Sequence, residues 1–194
     1  MQLQYCGKEV NMMSQRKETK YTIEDIYALP EGTRAELLDG ELYMMAPPST
    51  THQRVVKRIS RVIDQYIDEH GGDCESFISP FAVFLELPTD NQAYVEPDVS
   101  VVCNPGKVDD KGCHGAPDWI IEVVSPGSRK LDYTKKVSKY GEAGVREYWL
   151  VDLERERTTI YRFEEDAAPS IHPFTEELKV QIYDNLWITI QDLL

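Results

Sequence analysis

Two acidic residues lie in short apolar runs of this sequence. Such runs are typical of buried strands, in which a charged side chain is unusual. Asp98 is at the head of the run EPDVSVV, and Glu122 lies inside the later run WIIEVV. The loop between them is long enough for the two runs to pair as neighbouring strands, which would bring both acids to one end or one face of a sheet. Glu36, in the earlier run AELL, is a third candidate acid.

Two carboxylates held close together repel each other unless a cation or a shared proton relieves the repulsion. A hard divalent metal such as Mg²⁺ or Mn²⁺ suits such a pair because it takes oxygen ligands. A metal of this kind can activate water and stabilise negative charge on a phosphate. The alternative is that Asp98 caps the end of a strand, while Glu122 lies at the rim of the sheet, solvated or paired with a basic residue.

A segment rich in lysine and arginine follows Glu122. On the helix expected there, Asp132, Lys136 and Tyr140 share one face, which directs Lys136 back towards the end of the Glu122 strand. A lysine in that place could position an attacking water or neutralise a phosphate oxygen. The alternative is a weak Asp132–Lys136 pair on the protein surface. His52, at the start of an earlier helix, is either a contact to a phosphate or to the metal cluster, or a surface residue.

The elements that would position these residues can be predicted from local patterns. Asp39-Gly40 between two apolar runs predicts a hairpin that carries Glu36. Apolar residues at helical spacing predict a long helix over 50–69, ended by Gly71-Gly72. Further strands are expected over residues 74–79, 81–87, 118–124, 147–153, 158–163 and 179–183, with loops over 104–117 and 164–175 and a second main helix over 131–143. This order predicts an α/β fold with a mixed central sheet flanked by helices.

The length, net charge and hydropathy of the chain limit the classes of protein to which it can belong. Its 194 residues suit a single folded domain over 21–194, with residues 1–20 as a flexible lead-in. The net charge of -13 argues against broad, nonspecific coating of nucleic acid, but leaves room for a local basic groove or for a metal that supplies positive charge. No run of about 18 apolar residues is present, so no membrane span is expected.

The cysteines are scattered and form no CxxC pair, so we expect free thiols and a cytoplasmic protein. They are Cys6, Cys74, Cys103 and Cys113.

Several stretches of the chain resemble a known family of nucleases. Pro97-Asp98, followed by Glu122-Val123-Val124, resembles the motif of the PD-(D/E)XK nuclease superfamily. The runs AELLDGELYMMAPPSTTHQRVV, EPDVSVV and EVVSPGSRKLDYTKKVSKYGEAGVREYWLVD resemble its branch of restriction-endonuclease-like proteins, the Uma-two family. The resemblance covers roughly Thr22 to Phe163, and the order and intervals of these runs make it more specific than a bare PD…ExK match.

The resemblance implies a restriction-endonuclease-like core, with a mixed central β-sheet and helices on both faces. It also implies an endonuclease that uses Mg²⁺ or Mn²⁺ to hydrolyse phosphodiester bonds of DNA. The metal ligands would be Asp98 and Glu122, helped by the backbone carbonyl of Val123, and Glu36 would be an accessory acid.

One position departs from the family's pattern. The third residue of the E-x-K motif, where a catalytic lysine is expected, is Val124 in this chain. A lysine of the following helix is then expected to take that role, with Lys136 preferred to Lys135.

Basic residues near these acids could line the approach of DNA. They are His52, Arg54, Lys57, Arg58, Lys130 and Lys139. Two other interpretations stay open. In one, the nuclease fold is catalytically degenerate and binds nucleic acid or a protein without cutting. In the other, the apolar C-terminal segment with Trp187 forms a homodimer interface, which a nuclease could also possess.

Overall fold

The computed structural model describes residues 20–88, 93–165 and 167–194, so all but the last residue of the expected lead-in lies outside the described residues. The first two helices are α1 (Ile23–Tyr27) and α2 (Thr50–His70). Three helical segments later follow one another directly: α3 (Arg129–Leu131), a π-helical turn (Asp132–Lys136) and α4 (Val137–Ala143). Within the described ranges, no helix is long and apolar enough to cross a membrane.

The strands are short, with two to six residues each. They are β1 (Ala35–Leu38), β2 (Glu41–Met44), β3 (Glu75–Ile78), β4 (Val83–Leu85), β5 (Ala93–Val95), β6 (Val99–Val102), β7 (Val108–Asp109), β8 (Gly112–His114), β9 (Trp119–Val124), β10 (Glu147–Asp152), β11 (Arg157–Arg162), β12 (Ser170–Pro173), β13 (Glu177–Lys179) and β14 (Trp187–Thr189).

The central sheet has the strand order β12-β11-β10-β9-β6-β3. Its middle strands β9 and β10 run parallel, whereas the other neighbours are antiparallel, so the sheet is mixed as expected. All six residues of β9 are buried, which explains why its sequence is nearly continuous apolar residues. The predicted pairing of the two acid-bearing runs is confirmed, because β6 lies beside β9 with Val99 opposite Ile121.

Helix α2 covers one face of the central sheet. Its apolar stripe includes Val55, Ile59 and Ile63, which pack with Trp119 and Trp149 of the sheet in one buried cluster. The helix begins after Ser49, whose side chain accepts a hydrogen bond from the backbone N–H of His52 at 3.2 Å. The cap therefore fixes the first turn of α2, which carries His52, at the edge of the sheet.

A second sheet covers the opposite face, together with α4. Its strand order is β2-β1-β5-β4-β8-β7. Its residues Leu38, Val83 and Val95, among others, share one apolar cluster with Ile120, Leu150 and Tyr140. The predicted hairpin is the β1–β2 pair, with Asp39 and Gly40 both at positive φ, as the tightest hairpin turns require. The α/β class and the helices on both faces are confirmed, but the strands form two large sheets instead of one.

Other expectations about elements are wrong in detail. The expected loop over 104–117 contains the hairpin β7–β8, and the expected loop over 164–175 contains β12. The strand expected over 179–183 is β13, which ends at Lys179 and pairs with β14. These strands are short and mostly half-exposed, so they lack the apolar alternation that marks a strand in a sequence. Trp187 on β14 is 49% exposed, and the homodimer at this strand stays a prediction.

The expectation of free thiols is wrong for two of the cysteines. Cys74 and Cys103 lie at adjoining ends of β3 and β6 and are joined by a disulfide. Their pairing arises from strand register, which no local sequence signature reveals. Cys113 is free and buried, and its burial raises the pKa of the thiol to about 11. Cys6 lies outside the described residues, and the cytoplasmic location stays a prediction.

A thiol titration tests this assignment in a Cys6→Ser variant purified without reductant. At about pH 8, only about 0.1% of Cys113 would be thiolate, so the native protein should show no fast-reacting thiol towards a disulfide reagent. The denatured protein should show one thiol, and the denatured, reduced protein three. Three thiols before reduction would show that Cys74 and Cys103 are not joined.

Candidate active site

One cavity of about 820 Å³ collects the acids and the lysine that the sequence singled out. Its walls come from the end of β9, the start of α2, the segment that joins β2 to α2, and the π-helical turn. The acidic and basic residues that line it are Arg34, Glu36, His52, Glu96, Asp98, Glu122, Asp132, Lys136 and Glu154.

Asp98 and Glu122 meet at the end of the β6–β9 pair. The backbone N–H of Asp98 lies 3.4 Å from Oε2 of Glu122, and the backbone N–H of Val123 donates to Oδ2 of Asp98 at 2.8 Å. The antiparallel register thus ties each acid to the strand that carries the other. Glu122 is 5% exposed, so it does not lie solvated at a sheet rim.

Lys136 reaches this pair from the π-helical turn. Its Nζ lies 2.7 Å from Oε1 of Glu122, 2.9 Å from Oε1 of Glu36 and 3.5 Å from Oδ1 of Asp132. Lys136 is 3% exposed, so the alternative of a surface pair with Asp132 is wrong. The π-helical turn has Asp132 and Lys136 as its first and last residues, and both are buried. Such turns occur frequently at functional sites.

Lys136 thus brings an ammonium group to Glu122, whereas the motif's third position, Val124, carries none. Val124 is buried in the apolar cluster between the two sheets and also lines the cavity that holds the acids. Lys135, the less favoured substitute, instead pairs with Glu41 at 2.6 Å and lies over the ring of Tyr43.

Glu36 is held in the cavity by a network that sequence reasoning missed. Its Oε1 accepts a hydrogen bond from the backbone N–H of Glu96 at 3.0 Å. The Glu96 carboxylate in turn accepts from Nε of Arg34 and from the hydroxyl of Tyr94, both at 2.7 Å. The only local signal was Glu96 itself, which directly precedes the Pro97-Asp98 motif.

His52 lies against Asp98. The distance from its Nε2 to Oδ2 of Asp98 is 3.0 Å, and the side chain is buried, so the interpretation as a surface residue is wrong. Burial alone lowers the pKa of His52. The hydrogen bond and negative charge of Asp98, with the backbone of Val123 and the charge of Asp132, outweigh it and raise that pKa above its usual value.

The site carries more negative than positive charge, and its pKa values reflect this. Burial raises the pKa of Glu122 well above its usual range, and the charges of Asp98, Asp132 and Glu36 add to the effect, against the pull of Lys136. Burial lowers the pKa of Lys136, but the attraction of the surrounding acids prevails and raises it well above its usual value. The lysine therefore keeps its proton.

Tyr140 is a further partner that the sequence did not reveal as part of the site. Its hydroxyl donates a hydrogen bond to Oε1 of Glu122 at 3.1 Å, and its ring is fully buried. Tyr140 stands four residues after Lys136, so the face that was used to orient the lysine also carried this second donor.

The basic residues expected along a DNA approach lie outside the cavity walls, except His52. Arg58 bonds to the backbone carbonyls of Leu193 and Leu194, and Lys139 pairs with Asp39 and Glu142. The remaining three, which are exposed, are Arg54, Lys57 and Lys130. Their role towards DNA stays a prediction.

The side chains of the cavity can be compared with the ligands that the expected Mg²⁺ or Mn²⁺ prefers. Among the described residues, no three His, Cys, Asp or Glu side chains are grouped as a ready metal site. Asp98 and Glu122 nevertheless offer carboxylate oxygens in a cavity with excess negative charge, which fits a hard cation in both ligand type and charge. Mg²⁺ is commonly bound through one or two carboxylates, with water and substrate phosphate completing its shell. The residues fit such a cation.

Comparisons with known proteins agree with the resemblance. Two uncharacterised proteins of Synechocystis sp. are 29% and 26% identical to this chain, over 68% and 61% of it and over 67% and 66% of their own lengths. A crystal structure from Anabaena variabilis, described as "a putative nuclease belonging to DUF820", has a TM-score of 0.72 at 20% identity, covering 89% of this chain and 96% of that one, and shares its fold. The family model Uma2, described as "Putative restriction endonuclease", matches residues 23–191. The chain therefore belongs to the Uma2 family.

Proposed function

We propose that this chain is a nuclease that hydrolyses phosphodiester bonds of DNA with the help of Mg²⁺ or Mn²⁺. The observation that carries the proposal is the Lys136 ammonium, 2.7 Å from Glu122, in the cavity that Glu122 shares with Asp98. Two acids and one lysine are the groups that the PD-(D/E)XK motif supplies, although Val124 stands at the motif's third position. Family membership and the shared fold support the same activity.

Asp98 and Glu122, with the backbone carbonyl of Val123, would hold the cation. When bound, the cation would stabilise negative charge on a phosphate and activate an attacking water. The backbone N–H of Val123 orients the carboxylate of Asp98 through a 2.8 Å hydrogen bond. The two strands fix the acids relative to each other, so little reorganisation is needed when substrate enters.

Lys136 acts as a charged hydrogen-bond donor in this proposal. Its raised pKa keeps the ammonium protonated, so it orients the attacking water and screens charge on the phosphate in the transition state. Glu36 is an accessory acid that holds the ammonium at 2.9 Å. Tyr140 steadies the same oxygen of Glu122 that Lys136 contacts.

Nicking of supercoiled plasmid DNA tests the proposal. The wild-type protein should convert supercoiled to open-circular DNA in Mn²⁺ and in Mg²⁺, and should do so no longer in excess EDTA. An Asp98→Asn/Glu122→Gln double variant, purified in parallel, reports any contaminating nuclease. A folded wild-type protein that is inert in both metals would contradict the proposal and favour a degenerate fold that binds without cutting.

A further inference from the structure

An exposed apolar surface lies in the same cavity as the acids. The end of β2 and the segment that joins β2 to α2 contribute Met44, Met45, Ala46, Pro47 and Pro48 to the lining, and we call these five residues the apolar wall. Met44 is 61% exposed, and Ala46, Pro47 and Pro48 are exposed as well. Exposed apolar surface beside polar groups is typical of ligand-binding sites, since it is costly to leave in contact with water.

The charges around the cavity do not resemble those of a groove for a DNA duplex. Binding of a duplex relies on many lysine and arginine contacts to phosphates on two strands. In the described part of the chain, the basic side chains that line the cavity are Arg34, His52 and Lys136, and each is already paired with an acid. Affinity for the segment of polynucleotide inside the cavity must therefore draw on something besides contacts between phosphates and unpaired basic side chains.

Nucleobases can supply that affinity if their faces are accessible. In a duplex the bases are paired and stacked on one another, whereas an unpaired base exposes its flat faces, which proteins contact with aromatic or other apolar side chains. The cavity of about 820 Å³ is within the size range of pockets that enclose small ligands, which suits a short stretch of nucleotides.

Resting on the function proposed above, we infer that the site takes an unpaired polynucleotide strand. A base beside the scissile phosphate packs against the apolar wall, while the phosphate lies at Asp98 and Glu122. The apolar wall and the acids line the same cavity, so one short segment of strand can contact both. The same chemistry is available from single-stranded DNA and from single-stranded RNA.

The first experiment compares three fluorescently labelled oligonucleotides of one sequence: single-stranded DNA, the same DNA as a duplex, and single-stranded RNA. Binding is followed by fluorescence anisotropy with the Asp98→Asn/Glu122→Gln variant, whose neutral side chains neither repel the phosphate nor support cutting, and cleavage by the wild-type protein is followed separately in Mn²⁺. We expect single-stranded DNA to bind and to be cut at least about tenfold more effectively than the duplex, through the contacts of its bases. If the RNA is bound and cut as well as the single-stranded DNA, this would support a site that accepts unpaired strands of both DNA and RNA.

The outcomes separate this inference from the proposed nuclease. A duplex that is bound and cut as well as the single strand would overturn the inference and leave the nuclease standing. Single strands that are bound but never cut would support the inference and contradict the nuclease. An absence of binding to all three oligonucleotides would overturn the inference.

A pair of variants tests the apolar wall itself. Met44→Ala removes an exposed side chain of the wall, and Ile171→Ala removes one of similar size that is 59% exposed on β12, outside the cavity lining. Met44→Ala should weaken binding of single-stranded DNA about fivefold without altering the unfolding midpoint. Ile171→Ala should change neither quantity. Equal binding by the two variants would overturn the role of the wall.

Discussion

Replacing Asp98 by asparagine, or Glu122 by glutamine, is expected to reduce metal-dependent nicking at least about 100-fold, the scale on which single electrostatic groups of active sites act. Each change keeps the shape of the side chain and removes one carboxylate from the pair that would hold the cation. The fold should survive, because Glu122→Gln leaves Lys136 with Glu36 at 2.9 Å and Asp132 at 3.5 Å. Nicking rates and urea unfolding midpoints measure the two effects separately.

Glu147→Gln is the matched control for Glu122→Gln. Glu147 is also a buried glutamate of the central sheet, on the adjacent strand β10, and it lies outside the cavity lining. Its carboxylate accepts from Nε1 of Trp149 and from the backbone N–H groups of Gln181 and Ile182. The Glu147→Gln variant should be less stable than the wild-type protein and should keep the wild-type nicking rate. Equal losses of activity in both variants would mean that disturbance of the sheet, not chemistry at Glu122, explains the result.

The parts of the site that lie close together in the sequence were predictable. Asp-Gly between two apolar runs indicates a hairpin locally, and the spacing from Asp132 to Lys136 places both on one helical face. Glu122 could be singled out because a charge inside an apolar strand has a cost that some interaction must offset. Each of these arguments needs only a few neighbouring residues.

The remaining features depend on contacts between distant residues. Arg34 and Glu96 are 62 residues apart in sequence, and nothing in either neighbourhood points to the other. The division of the strands into two sheets is equally nonlocal, since each short strand carries an apolar pattern that fits several partners. The π-helical turn at Lys136 has no residue signature, so its burial could not be separated from a surface pair by spacing alone.

Lys136→Met is expected to cause the largest loss of stability among changes at the site, together with a loss of nicking. It leaves Glu36, Glu122 and Asp132 buried around an apolar side chain, and removal of one partner from a buried ion pair costs about 3–5 kcal/mol. Lys135→Met is the matched control, because the neighbouring Lys135 makes a more exposed pair with Glu41, of a kind that contributes little to stability. Urea unfolding of both variants measures the difference.

The pH dependence of that loss has a definite sign. Burial raises the pKa of Glu122 and of Asp132 in the folded protein, so the folded state keeps protons that the unfolded chain releases. The free energy of unfolding should therefore fall as pH rises from about 4 through the raised pKa values. Without Lys136 these carboxyls hold protons more tightly still, so Lys136→Met should be more destabilising at about pH 8 than at about pH 5.

A second substitution distinguishes charge repulsion from lost packing. In a Glu36→Gln/Lys136→Met double variant, one of the uncompensated acids is neutral, so part of the lost stability should return at about pH 8. A cavity or a poor fit of the methionine would not be relieved by that change. A Lys136→Met protein as stable as Lys135→Met, or a double variant no more stable than Lys136→Met, would contradict the view that the lysine balances the buried acids.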